Sequence, residues 1–120
     1  MKERKIIFIL AVMILHLCFL GCSDDKPLVL KEGGPLKTKA NTVFNVQPDG
    51  SAAMWLIVEN ASERTHVMFD KKEIRPVFHN SQKLTLTVPR ELYSKPGRYE
   101  IYIFNPQNDN RSNSLFFTVE

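Results

Sequence analysis

Few residues of this 120-residue chain could do chemistry: two cysteines, Cys18 and Cys22, three histidines, His16, His66 and His79, and the acidic pair Asp24-Asp25. Structural zinc takes Cys and His ligands at short repeated spacings. His66 and His79 stand 13 positions apart with no such companion. The Gly-x-Ser-x-Gly turn that exposes a hydrolytic serine does not occur, and no glycine-rich loop is present to cradle phosphate. Asp24-Asp25 fall in a short polar stretch where nothing would hold two carboxylates in catalytic geometry. The expectation is a protein that is not an enzyme, with no catalytic residue, metal or cofactor.

One chemistry remains, acylation of a thiol. Lys2, Arg4 and Lys5 precede the apolar run Ile6 to Leu20, which His16 interrupts and Gly21-Cys22-Ser23-Asp24-Asp25 closes. A basic end, an apolar stretch and a small residue at its exit make an export signal. Its 15 positions fall short of the roughly 20 a membrane-spanning helix needs. The stretch Phe19-Leu20-Gly21-Cys22 resembles the lipobox of bacterial lipoproteins, with Phe19 where Leu is usual. That resemblance implies a signal peptide over residues 1–21, lipidation of Cys22, and a tether over residues 22–26. Cys18 follows bulky Leu17 inside the apolar run and is a poor cleavage site. Each buried methylene contributes about 0.8 kcal/mol, and two acyl chains hold a protein on a membrane stably. The expected place is the cell membrane or outer membrane, with the domain outside the cytoplasm. Ser23 rather than Asp directly after the cysteine leans, by the same resemblance, towards the outer membrane.

The leader takes three of the 16 basic and one of the 13 acidic side chains, leaving 13 and 12. The remainder is close to neutral and its positive charges are scattered, so no nucleic-acid partner is expected. With Cys18 removed and Cys22 committed to lipid, no thiol remains for a disulfide. A chain that is 43% hydrophobic is too apolar to stay disordered, and residues 27–120 suffice for one packed domain.

From Pro27 onward, short apolar runs alternate with turn residues every eight to twelve positions, the spacing of an all-β sandwich or barrel. Strands are expected at Leu28 to Leu30, stopped by Gly33-Gly34-Pro35, and at Thr42 to Val46, ended by the Gln47-Pro48-Asp49-Gly50 turn. Ala52 to Glu59 is apolar on both faces and reads as a central strand. His66 to Phe69 follows, with Val67 and Phe69 inward, then a turn at Asp70-Lys71-Lys72 and a strand from Ile74 to Phe78. Leu84, Leu86 and Val88 alternate with Thr85 and Thr87, the mark of a sheet with one wet face. Pro89 ends that strand, and Arg90 to Ser94 reads as a single helical turn. Lys95-Pro96-Gly97 turns into a strand with Tyr99, Ile101 and Ile103 on one side and Glu100, Tyr102 and Phe104 on the other. A polar loop from Asn105 to Asn113 leads to Leu115, Phe117 and Val119, all inward.

Leu84-Thr85-Leu86-Thr87-Val88-Pro89, Leu92, Pro96-Gly97-Arg98-Tyr99, Ile101, Ile103, Asn105, Ser112-Asn113, Phe117 and Val119 together resemble an IPT/TIG domain. The family's Gly-x-Asn-Phe feature is replaced here by Val58-Glu59-Asn60-Ala61. The resemblance implies an immunoglobulin-like β-sandwich of seven or eight strands behind a lipoprotein signal peptide. Its motifs are structural and carry over no catalytic residue.

Function then rests on surface. Tyr102, Phe104 and Phe116 are assigned outward by the alternation, and clustered apolar area on an exported domain marks contact sites. Trp55 stands as a fourth candidate for that outward set and is expected rather in the core. The expected role is an anchored module that binds a protein or a carbohydrate. The alternative is an accessory subunit of a larger envelope assembly.

Overall fold

The computed structural model describes residues 26–120. The expected signal peptide and the lipid-bearing Cys22 lie outside the described residues, as do His16, Cys18 and Asp24-Asp25. The described chain forms β1 (Val29–Gly34), β2 (Lys37–Thr38), β3 (Ala52–Glu59), β4 (His66–Phe69), β5 (Lys72–Ile74), β6 (Val77–Asn80), β7 (Lys83–Val88), β8 (Gly97–Phe104) and β9 (Leu115–Val119). A single 3-10 turn, Arg90–Leu92, joins β7 to β8 where one helical turn is expected. Among the described residues no helix is long and apolar enough to cross a membrane.

The strands build two sheets, β1-β3-β7-β6 and β2-β9-β8-β4-β5. An immunoglobulin-type sandwich sets its A, B, E and D strands in that first order and its G, F and C strands in the order of β9, β8 and β4. The fold is therefore an immunoglobulin-like β-sandwich. The core follows from the alternation: Met54, Leu56 and Val58 from β3 and Leu84, Leu86 and Val88 from β7 are buried against Val67, Phe69, Ile101, Ile103, Phe117 and Val119 of the other sheet. Phe117 sits between Phe69 and Phe44, with ring centroids 5.5 and 5.4 Å away. Burying each such ring stabilises the fold by about 1.5–3 kcal/mol.

Four expectations are corrected. First, β1 runs through Gly33 and Gly34 instead of stopping before them, and Gly34 pairs with Trp55. Second, Thr42 to Val46 is not a strand. Phe44 is buried there by its contacts with Tyr93 and Phe117, while the pairing segment of this region is β2, which runs parallel to β9. Third, Ile74 to Phe78 is two strands in two sheets, because Pro76 has no N–H for a ladder and the chain crosses from one sheet to the other beside it. Fourth, that split and β2 raise the seven or eight expected strands to nine among the described residues.

The Ser112-Asn113 pair acts as a clamp. Ile103 N donates to Ser112 Oγ at 2.9 Å. The Asn113 side chain accepts from Leu30 N and donates to Leu30 O, both at 2.9 Å, much as a strand backbone would. Asn110 holds the entering chain in the same way, with Leu28 N donating to its Oδ1 at 3.2 Å and its Nδ2 donating to Lys26 O at 2.7 Å. Asn60 Nδ2 donates to Pro27 O at 2.7 Å. The polar loop is thus occupied in fastening the start of the domain, at the end where β3 finishes and β4 begins.

Candidate functional site

On the five-stranded sheet, every second residue of β4, β8 and β9 points away from the core. Met68 lies opposite Tyr102, His66 opposite Phe104, and Glu100 opposite Phe116. The structure brings Tyr102 and Phe104 together, with ring centroids 6.1 Å apart, and sets His66 edge-on to Phe104 at 6.0 Å. Phe116 lies on a neighbouring diagonal and is 39% exposed, whereas Tyr102 and Phe104 are half-buried.

Both parts of this face are capped by arginine. The Arg111 guanidinium stands 3.6 Å from the Tyr102 ring centroid and that of Arg98 3.9 Å from the Phe116 centroid. Each such cation–π contact is worth about 0.5–1 kcal/mol at an exposed site. Glu100 links the halves, accepting from Ser114 Oγ at 2.7 Å and lying 3.8 Å from Arg111 Nη2. His66 Nδ1 lies 3.4 Å from Glu73 Oε2, an ion-pair distance without hydrogen-bond alignment. Aromatic, Met and Arg side chains on one face have the composition of a protein-contact surface.

The opposite face of the sandwich corrects the expectation for Trp55. The residue is 37% exposed on the outer side of the four-stranded sheet. β3 and β7 pair Trp55 with Thr85 and Ala53 with Thr87, so the threonines of the wet face and Trp55 share one side. That alternation of Thr85 and Thr87 is the sequence signal that could have placed Trp55 outward. A groove of about 680 Å³ runs across this face. Val46, Trp55 and Val77, three of the four exposed large hydrophobic residues in the described chain, line it.

The remaining chemistry-bearing groups are dispersed. His66 and His79 lie in different sheets, and His79 Nε2 is hydrogen-bonded to Thr85 Oγ1 at 2.8 Å. Among the described residues no three His, Cys, Asp or Glu side chains gather to hold a metal. The Asp49 carboxyl accepts from the side chain and the backbone of Ser51, which holds it below its ordinary value and fixes the turn before β3. A hydrogen bond from Lys72 holds Glu91 below its ordinary value and joins β5 to the 3-10 turn.

No protein-family model and no curated protein matches the sequence. The fold is similar to part of a solved auxiliary nutrient binding protein from Bacteroides thetaiotaomicron, with a TM-score of 0.54 and 18% identity over 82% of this chain and 22% of that one. It is also similar to part of a putative phosphatase from the same organism, with a TM-score of 0.50 and 16% identity over 82% of this chain and 19% of the other. The chain thus spans about a fifth of the length of these structures. The likeness is one of fold.

Proposed function

We propose that the protein is a membrane-anchored cell-envelope lipoprotein whose immunoglobulin-like domain, similar to IPT/TIG domains, binds a protein partner through the outer face of its five-stranded sheet. The observation that carries this reading is the grouping of Tyr102, Phe104 and Phe116 with Met68, Arg98 and Arg111 on one side of that sheet. Such residues dominate binding energy where they are found at interfaces. The arginines occupy aromatic ring faces, which disfavours stacking of a sugar on Tyr102 or Phe116 and leaves ring edges and guanidinium edges for a protein. The similarity to a nutrient binding protein supports a binding role, and the lipobox-like segment ending at Cys22 supports the anchor. In that reading the Cys22 thiol displaces the phosphate headgroup from a phospholipid's diacylglyceryl carbon, losing its proton and forming a thioether, and water then cleaves the Gly21–Cys22 peptide bond to release residues 1–21.

The anchor is tested by labelling growing cells with a palmitate analogue. Wild type is expected to carry label and to sediment with membranes, and Cys22→Ala to do neither. Equal labelling of the two would contradict the anchor. A second reading, a permanent accessory subunit, shares the same face and differs in stoichiometry: it requires co-purification with one companion at a fixed ratio from detergent-solubilised membranes.

A further inference from the structure

We propose that the groove on the outer face of the four-stranded sheet is a carbohydrate site, in which the Trp55 indole stacks on a pyranose ring of a neutral oligosaccharide. The row Gly34, Trp55, Thr85 and Val77 crosses all four strands of the sheet in register. Small residues at both ends of the Trp55 pairings, Gly34 on one strand and Thr85 on the next, leave the ring as a low platform. Gly34 also sets how close the ring lies. A Cβ there would fall 2.2 Å from Trp55 Cε2 and Cζ2, so only glycine admits this position.

The groove's wall is pre-organised. Asn45, at a φ of 44°, donates through Nδ2 to Gly34 O at 3.3 Å and to Ala53 O at 3.1 Å. Gln47 Nε2 donates to Asn45 O at 2.7 Å, and Gln47 N to Ser51 O at 2.9 Å. These bonds fix both amide side chains within the groove's lining. They also hold Val46, 64% exposed, beside the Trp55 platform, with Val77, 61% exposed, on the far strand.

Charge selects the occupant. The lining holds no carboxylate and one cation, Lys83; its other polar groups are amides, hydroxyls and the His79 imidazole. A ligand that offers apolar C–H faces and many neutral hydroxyls matches that set. The electron-rich ring face attracts polarised C–H groups, and a few placed polar groups fix orientation. Unlike Tyr102 and Phe116, Trp55 has no arginine over its face among the described residues. The groove also lies towards the Asn45 to Gln47 loop, at the opposite end of β1 from the Lys26 entry that Asn110 fastens. The site therefore does not depend on the protein-contact face or on the anchor.

Residues 23–120 contain the whole sandwich and its core, and Trp55 is the protein's single tryptophan. The test titrates this fragment with cello-, malto-, manno-, xylo- and laminari-hexaose and reads tryptophan emission, with calorimetry for variants lacking the indole. A saturable change with at least one probe is expected, with a Kd of about 1 mM or tighter. Trp55→Ala should abolish binding, and Thr87→Val, which keeps the shape and removes a hydroxyl of the groove lining, should weaken it about tenfold. The double variant Tyr102→Ala, Phe116→Ala should bind as wild type does, which separates this site from the protein-contact face. No response to any probe, retained affinity in Trp55→Ala, or, should that variant not fold, retained affinity in Thr87→Val would overturn the proposal. So would a dimer of the fragment that buries Trp55 and excludes the probes.

Discussion

The Trp55 indole lies directly across the β1–β3 pair from Gly34 and touches its backbone so closely that no side chain fits between them. Gly34→Ala must therefore push the ring away or force β1 outward. Overpacking of this kind costs about 1–3 kcal/mol. The variant is expected to melt earlier and to show a red-shifted tryptophan emission in its folded state. Unchanged emission and stability would contradict this close contact.

Tyr99 donates through its hydroxyl to Lys95 O at 2.6 Å, bridging the corner that Pro96 and Gly97 make before β8. A tyrosine in this place, near the start of that strand, is a recurrent corner device of immunoglobulin-like sandwiches. Tyr99→Phe keeps the ring and removes one hydrogen bond, a loss of about 0.5–1.5 kcal/mol. The melting temperature should fall by about 4–8 °C per kcal/mol lost in a domain of this size.

Asn113 substitutes for a strand in holding Leu30. Asn113→Ala removes these partners from the Leu30 amide and carbonyl in a part-buried setting and is expected to cost about 0.5–1.5 kcal/mol for each bond. Hydrogen exchange should show the loss first at the start of β1, since that is where the clamp acts. Uniform loss of protection across both sheets would contradict the assigned role.

The sequence made the alternating strands legible and the exceptions obscure, for physical reasons that particular residues show. Ala52 to Glu59 and Lys83 to Val88 were readable because one face of each is buried at every second position. Gly33-Gly34-Pro35 reads as a stop, since glycine and proline usually end strands, but the closeness of Trp55 that requires Gly34 is a cross-strand fact. Phe44 looks like a strand residue, yet its burial comes from Tyr93 and Phe117, distant in sequence. The outward placement of Tyr102, Phe104 and Phe116 follows from period two alone. Their arginine caps come from Arg98 on an adjacent diagonal and Arg111 in a loop, which no local pattern encodes.

The Lys72–Glu91 contact makes stability depend on pH in a defined direction. The folded state lowers the Glu91 pKa, so the contribution is present above the unfolded value of about 4.3 and is lost as pH falls through the lower folded value. Glu91→Gln should flatten that acid limb of the melting temperature against pH. Both groups are exposed, so the difference from wild type should shrink at high salt. An acid limb identical in the two proteins at low salt would contradict this assignment.

In the proposed function, the outer face of the five-stranded sheet meets a protein partner. The most direct measurement places a photo-reactive phenylalanine analogue at Phe116, illuminates living cells, and compares the adducts with those from the same analogue at Gln82, which is exposed in the turn between β6 and β7. The prediction is one discrete adduct from position 116, absent from position 82 and lost when Tyr102→Ala is added. No adduct at 116, or the same adducts from both positions, would contradict the claim.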